Sequence, residues 1–144
     1  MSDVQKLDNQ LCFALYAASR AVTSAYQPVL DALELTYPQY LVLMVLWEED
    51  GARVSRIGER LFLDSATLTP LLKRLAVRGL VERRRSEQDE RVVEVYLTAE
   101  GKRMKRRAAD VPAHLFEKSQ LTGRDLATLR NSLQRLTKTL HSAT

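Results

Sequence analysis

The sequence predicts a mainly α fold of the α+β kind, a winged helix-turn-helix carried between N- and C-terminal dimerisation helices. Three observations predict it. Two short amphipathic helices around a tight turn account for residues 54–79. An alternating, arginine-rich hairpin follows them at residues 80–97. Apolar residues spaced three and four apart then recur on both sides of this block.

Each element follows from local chemistry. The first block runs from Val4 to about Trp47, and Leu7, Leu11, Ala14, Ala18, Val22 and Ala25 give it one apolar face. Pro28 is expected to end or kink that helix. A second helix is expected from about Pro38 through Leu41, Leu43, Leu46 and Trp47, closed off by Gly51. Val54, Ile57, Leu61 and Phe62 mark a short helix. Asp64 then stands as N-cap to a helix holding Leu68, Leu71, Leu72 and Leu75, with Gly79 as its C-cap. Pro70 lacks the amide that bonds back to Ala66, so a slight distortion is expected there. The hairpin leads out through Arg83, Arg84 and Arg85, turns within residues 86–90, and returns through Val92–Leu97. Thr98 caps a basic helix from about Ala99, perturbed at Pro112. Thr122 and Asp125 form a capping box for a last helix with the stripe Leu126, Leu129, Leu133, Leu136 and Leu140.

Composition bounds the function. The 144 residues suit one domain, with 45% hydrophobic and 28% charged residues. The single cysteine, Cys12, excludes an internal disulfide and a multi-cysteine zinc site, and no metal or cofactor is expected. No run is long enough to span a membrane and no leader is visible, so a cytoplasmic protein with no membrane partner is expected. No Ser/His/Asp or Cys/His arrangement is apparent. His114 and His141 lie far along the chain from Cys12 and are expected at the surface, so no enzyme is expected. The net charge of +4 leans towards a polyanion, but its placement matters more than its sum.

That placement favours double-stranded DNA. On the second helix of the pair, Ser65, Thr67, Thr69 and Lys73 occupy the face away from the leucines, with Arg74 beside them. Small polar side chains at such a helix start can meet base edges in the major groove. Arg83, Arg84 and Arg85 rise along the hairpin and Arg91 stands at its tip, placed for phosphates and the minor groove. Alone, such arginines more often form a solvated face paired with Glu82, Glu87 and Glu90. Following a helix-turn-helix, they read as a wing. The basic stretch Lys102–Arg107 points in several directions and reads as a solvated face. Proteins of this build meet a two-fold operator as dimers, with half-sites roughly 34 Å apart. The leucine stripe at the end and the small, alanine-rich stripe at the start suit a homodimer.

Leu68-Thr69-Pro70-Leu71-Leu72-Lys73-Arg74-Leu75, Gly79-Leu80-Val81, Asp89-Glu90-Arg91 and Leu97-Thr98-Ala99-Glu100-Gly101 together resemble the MarR family of dimeric winged-helix regulators. The resemblance covers nearly the whole chain. It implies one domain over residues 1–144, with 1–50 and 99–144 supplying the dimerisation helices and 53–98 the DNA-binding region. It also implies a wing-tip Arg91 oriented by Asp89.

Cys12 remains to be explained. A lone cysteine on an apolar helix is usually an inert core filler. A sensor thiol must ionise, and tyrosine hydroxyls can stabilise the thiolate without adding charge. Tyr16 lies one helical turn from Cys12. Tyr26 lies 14 positions on, about 21 Å along a straight helix, and reaches a Cys12 only across a dimer. Cys12 with Tyr26 and Tyr37 is similar to the organic hydroperoxide resistance regulators within the MarR family, in their single-cysteine type. That likeness implies that Cys12 is oxidised by organic hydroperoxides, with Tyr26 and Tyr37 reaching it from the other subunit and Tyr16 nearby. It further implies a repressor that then leaves its operator and derepresses a peroxide-detoxification gene, Cys12 passing into a mixed disulfide with a small cellular thiol or into higher oxides. The alternative is a MarR-type repressor released by a small aromatic or phenolic ligand. Leu7, Leu11, Phe13 and Leu15 around Cys12 favour fatty or aromatic peroxides.

Overall fold

The computed structural model describes residues 2–143. One compact unit ends at Val111 and a second begins at Pro112. The first holds α1 (Leu11–Ala32), α2 (Tyr37–Glu48), β1 (Ala52–Arg53), α3 (Val54–Leu61), α4 (Ser65–Val77), β2 (Val81–Arg85), β3 (Val93–Leu97) and α5 (Ala99–Arg107). α6 (Val111–Ser119) opens at the boundary and α7 (Gly123–Ser142) follows. The expected class is the observed one, mainly helical with a small antiparallel sheet. Among the described residues no single helix is long and apolar enough to cross a membrane.

The centre of the first unit is α2. Thr36 caps it reciprocally: its hydroxyl accepts from the Gln39 amide, and the Gln39 side-chain oxygen accepts from the Thr36 amide. Tyr40, Val42, Leu43, Val45 and Leu46 are all buried, so the helix is apolar on nearly every side and is wrapped by its neighbours. Ile57 of α3, Leu68, Leu72 and Leu75 of α4, Val95 of β3 and Met104 of α5 complete that core. Each such side chain contributes about 1.5–3 kcal/mol by leaving water.

Two expectations for α1 need correction. The helix begins at Leu11 rather than near Val4, because residues 2–9 form short 3-10 turns. Pro28 neither ends nor breaks it; α1 continues to Ala32. The lost backbone bond is offset by burial just beyond it, where Leu30 is fully buried and Leu33 nearly so.

The helix pair is built as its caps predict. Asp64 accepts from the Thr67 amide at 2.8 Å, and α4 stays helical through Pro70. Between the two helices Phe62 takes a left-handed conformation, and a Cβ on Gly58 would lie 2.7 Å from the Leu63 carbonyl oxygen. Only glycine allows that approach. α4 ends at Val77 with Arg78 as its C-cap, one residue before the expected Gly79. Gly79, at φ +76°, follows it, and the Leu80 and Gly79 amides bond back to Leu75 and Ala76.

The sheet order is β1-β3-β2, antiparallel throughout, with Val81 opposite Leu97 and Arg85 opposite Val93. β1 was not foreseen: Ala52 and Arg53 pair with Val95 and Glu94. The single basic helix expected after Thr98 is two, α5 and α6. The interruption expected at Pro112 falls at residues 108–110, and Pro112 takes a place in the first turn of α6. The Thr122 hydroxyl accepts from the Asp125 amide at 3.1 Å, the forward half of the capping box. No side chain of α7 is buried.

Candidate functional site

Two regions of the first unit carry the chemistry. On α4, Leu68, Leu71, Leu72 and Leu75 point into the core, which forces the alternate face outwards. Ser65, Thr67, Lys73 and Arg74 are exposed and Thr69 is half-buried. The Asp64 carboxylate, bound to the first-turn amide of Thr67, is held below its ordinary value by that bond.

Pleat alternation divides the wing arginines. Arg84 stands with Glu82 and Tyr96: its guanidinium lies 3.0 Å from the Glu82 carboxylate and 4.5 Å from the Tyr96 ring centroid. Arg83 faces the other way, towards α4. The Arg85 guanidinium donates to the Glu90 carbonyl at 2.8 Å and so braces the turn. At the tip, Asp89 accepts from the Arg91 amide at 3.0 Å and from its guanidinium at 3.2 and 3.3 Å. That pairing pulls the Asp89 carboxyl below its usual range. The Arg91 side chain is nonetheless 90% exposed, so it is aimed rather than sequestered.

A groove joins these parts. Arg53 and Ser55, at the start of α3, line it with Thr69 of α4 and with Arg83 and Arg91 of the wing. Three cations and two hydroxyls thus share one concave surface, a fitting place for a phosphate chain. Arg53 and Ser55 escaped the sequence reading. Only the pairing of Arg53 with Glu94 brings this corner to the wing, and no local pattern signals it.

The thiol lies elsewhere. Cys12 is in the first turn of α1 and is exposed, so it is no core filler in this chain. Leu11 and Phe13 beside it are exposed as well, and Leu15 is half-buried. Tyr16, one turn on, is 62% exposed with the Arg20 guanidinium 5.4 Å above its ring. Tyr26 lies far along the same continuous helix from Cys12. It stacks on Tyr37 at 5.4 Å between centroids, and Tyr40 lies 6.4 Å from each. Burial pushes the Tyr26 phenol up to about 12, helped by Tyr37 and Tyr40, and burial raises Tyr37 too. These phenols therefore stay protonated and able to donate near neutral pH. Tyr40, buried between them and Trp47, falls on the second helix as expected but was not assigned to the site, because a tyrosine in an apolar helix looks like core. His114, expected at the surface, is half-buried, and its Nε2 is enclosed without a hydrogen-bond partner among the described residues.

Comparison with known proteins finds transcriptional regulators. Residues 24–108 match the family described as transcriptional regulator SarA/Rot. The organic hydroperoxide resistance transcriptional regulator of Bacillus subtilis is 50% identical over 139 residues, 96% of this chain and 95% of that protein. The structure of AbfR, a protein of Staphylococcus epidermidis, reduced and bound to DNA, superposes with a TM-score of 0.80 at 35% identity over 96% of both chains. Overoxidised AbfR bound to DNA gives 0.75 at 37% identity over 96% and 98%. The chain belongs to the MarR family of winged-helix transcriptional regulators, among the organic hydroperoxide resistance regulators of single-cysteine type.

Proposed function

We propose that the protein is a homodimeric repressor that binds a pseudo-palindromic operator and releases it when an organic hydroperoxide oxidises Cys12. The observation that carries this reading is the stacked pair Tyr26–Tyr37 on a chain whose single thiol stands exposed at the far end of the same helix. A second, antiparallel α1 brings the two together. Exposed Leu11, Phe13 and Val22 on α1 support a covered face there, and exposed Leu129 and Leu140 support one on α7.

In the sensing step the Cys12 thiolate attacks the outer peroxide oxygen. An S–O bond forms as the O–O bond breaks, the sulfur loses two electrons, and the leaving alkoxide takes a proton to become an alcohol. A small cellular thiol then displaces hydroxide from the sulfenic acid, giving a mixed disulfide and water. The bulky adduct, rather than added oxygens, is the releasing state. AbfR on DNA in overoxidised form supports that choice. On the operator, Ser65, Thr67, Thr69, Lys73 and Arg74 meet the major groove, while Arg84, Arg85 and Arg91, with Asp89 orienting the last, serve the wing. The regulated gene encodes a hydroperoxide-destroying enzyme.

The test is a DNA-binding titration with and without cumene hydroperoxide plus a small thiol, on the parent and on Cys12→Ser. The parent loses its duplex on treatment and the serine variant keeps it. Release of the serine variant by peroxide would overturn the redox reading and favour a ligand-released repressor.

A further inference from the structure

The tyrosines of the thiol site are joined to the DNA-reading helix by a short chain of contacts through one residue of α2. Tyr40 is 4% exposed, and its ring stands 6.4 Å from both Tyr26 and Tyr37. On its other side it meets Trp47 edge-on, with centroids 6.2 Å apart and planes at 66°. The Trp47 indole donates from Nε1 to the Gly101 carbonyl of α5 at 3.0 Å. Gly101 in turn is pressed against the end of α4, where an added Cβ would stand 2.1 Å from the Leu80 carbonyl oxygen. That same carbonyl accepts from the Thr98 amide at 3.1 Å, and the Thr98 hydroxyl donates to the Gly79 carbonyl at 2.5 Å. Leu80 and Gly79 are the turn that terminates α4.

Two of these contacts are directional where ordinary core packing is not. An indole N–H needs its acceptor in line, and leaving it unmade at this half-buried position costs part of the donor's desolvation. A glycine held against a backbone carbonyl has no side chain to absorb displacement. A shift of the Tyr40 ring is therefore passed to α5 and to the last turn of α4.

We propose that Trp47, with Tyr40, is a positioning residue that couples the tyrosines serving Cys12 to the C-terminal turn of the DNA-reading helix. The proposal rests on the redox reading above. When the partner's modified Cys12 displaces Tyr26 and Tyr37, Tyr40 loses its two tilted ring neighbours, Trp47 turns, and its bond to Gly101 no longer holds α5 against Leu80.

Trp47→Phe tests this, since it keeps an aromatic ring against Tyr40 and removes the donor to Gly101 together with part of the indole's volume. The DNA probe is a duplex selected from a random pool by the reduced parent, and a sulfenic-acid-trapping dione measures Cys12 oxidation separately. Reduced Trp47→Phe is expected to bind within about twofold of the parent. Its Cys12 is expected to oxidise at the parental rate. Its loss of affinity on oxidation is expected to be smaller than the parental loss by at least about fivefold, the lower end of ordinary coupling. A loss equal to the parent's overturns the proposal and leaves the redox reading standing. All oxidations are carried out with a small thiol present, and a parent that holds its duplex after Cys12 has passed into the mixed disulfide overturns both. Should the phenylalanine variant fail to unfold cooperatively, Tyr40→Leu carries the same comparison. Trp47 is the single tryptophan of the chain, so its emission in the parent adds a direct readout. A shift on oxidation without DNA is expected, and unchanged emission overturns the coupling.

Discussion

Tyr37, in the first turn of α2, stacks on Tyr26 of α1 with centroids 5.4 Å apart and planes inclined by 29°. The turn that brings them together runs through Glu34, which takes a left-handed φ of 56°, and through the Thr36–Gln39 cap. The two phenols proposed for the thiol are thus neighbours within one subunit before any partner arrives.

These phenols make the fold sensitive to alkali. Tyr26 is pushed up to about 12 by burial and by its two tyrosine neighbours, against about 10 in an unfolded chain. The folded state therefore keeps a proton that the unfolded state has given up, and stability falls as pH rises across that interval. Below about pH 10 the contribution is complete. Denaturant midpoints measured from pH 10 to about 12 are expected to fall more steeply for the parent than for Tyr26→Phe. Equal slopes would show that the cluster does not hold the proton.

Removing either hydroxyl is expected to slow the thiol rather than weaken the grip on DNA. A hydrogen bond to an anion contributes about 1.5–3 kcal/mol, so Tyr26→Phe or Tyr37→Phe slows oxidation of Cys12 by about tenfold or more. Affinity of the reduced protein stays within about twofold, since neither ring lies near the groove. Stopped-flow oxidation and a DNA titration on the same sample separate the two effects.

Gly79 and Gly101 are expected to differ in tolerance for alanine. At Gly79 nothing lies within 4 Å of an added Cβ, so only the left-handed backbone resists, at about 1–2 kcal/mol. At Gly101 the Cβ collides with the Leu80 carbonyl, and α5 or the α4 turn must move. That cost is at or above about 3 kcal/mol, the upper end of overpacking. Chemical unfolding of both variants checks the order, and a milder Gly101→Ala would mean that α5 is loosely seated.

Local chemistry made most of this architecture legible in advance. Asp64, Thr98 and Thr122 each cap a helix because a short side-chain oxygen satisfies an amide one turn on. Leucine spacing separated the inner and outer faces of α4 for the same reason. What stayed hidden depends on residues far apart in sequence. β1 has two residues and exists only through its pairing with β3, so Arg53 and Ser55 could not be seen joining the wing. Pro28 forecast a helix end because the cost of a proline is local, whereas the burial of Leu30 that offsets it is tertiary. In the same way a tyrosine pair at 26 and 37 could be suggested by the family resemblance, but Tyr40 and Trp47 gained meaning only when their rings met.

Arg91→Ala is expected to weaken DNA binding while leaving the fold intact. Its side chain is 90% exposed, so truncation opens no cavity and strips no apolar cover. The Asp89 carboxylate loses its guanidinium partner but keeps the Arg91 amide, so the turn persists. The pairing is solvent-exposed and adds little stability, and the thermal midpoint should stay where it is. On DNA the arginine is worth about 1–3 kcal/mol for each half-site if it reads a base edge or narrow groove. If it serves a phosphate, the slope of log affinity against log salt falls by about one for each half-site. Titrations at several salt concentrations therefore tell which role it plays. Should both affinity and slope match the parent while Arg53→Ala lowers them, the phosphate chain follows the groove at the start of α3 and not the wing tip.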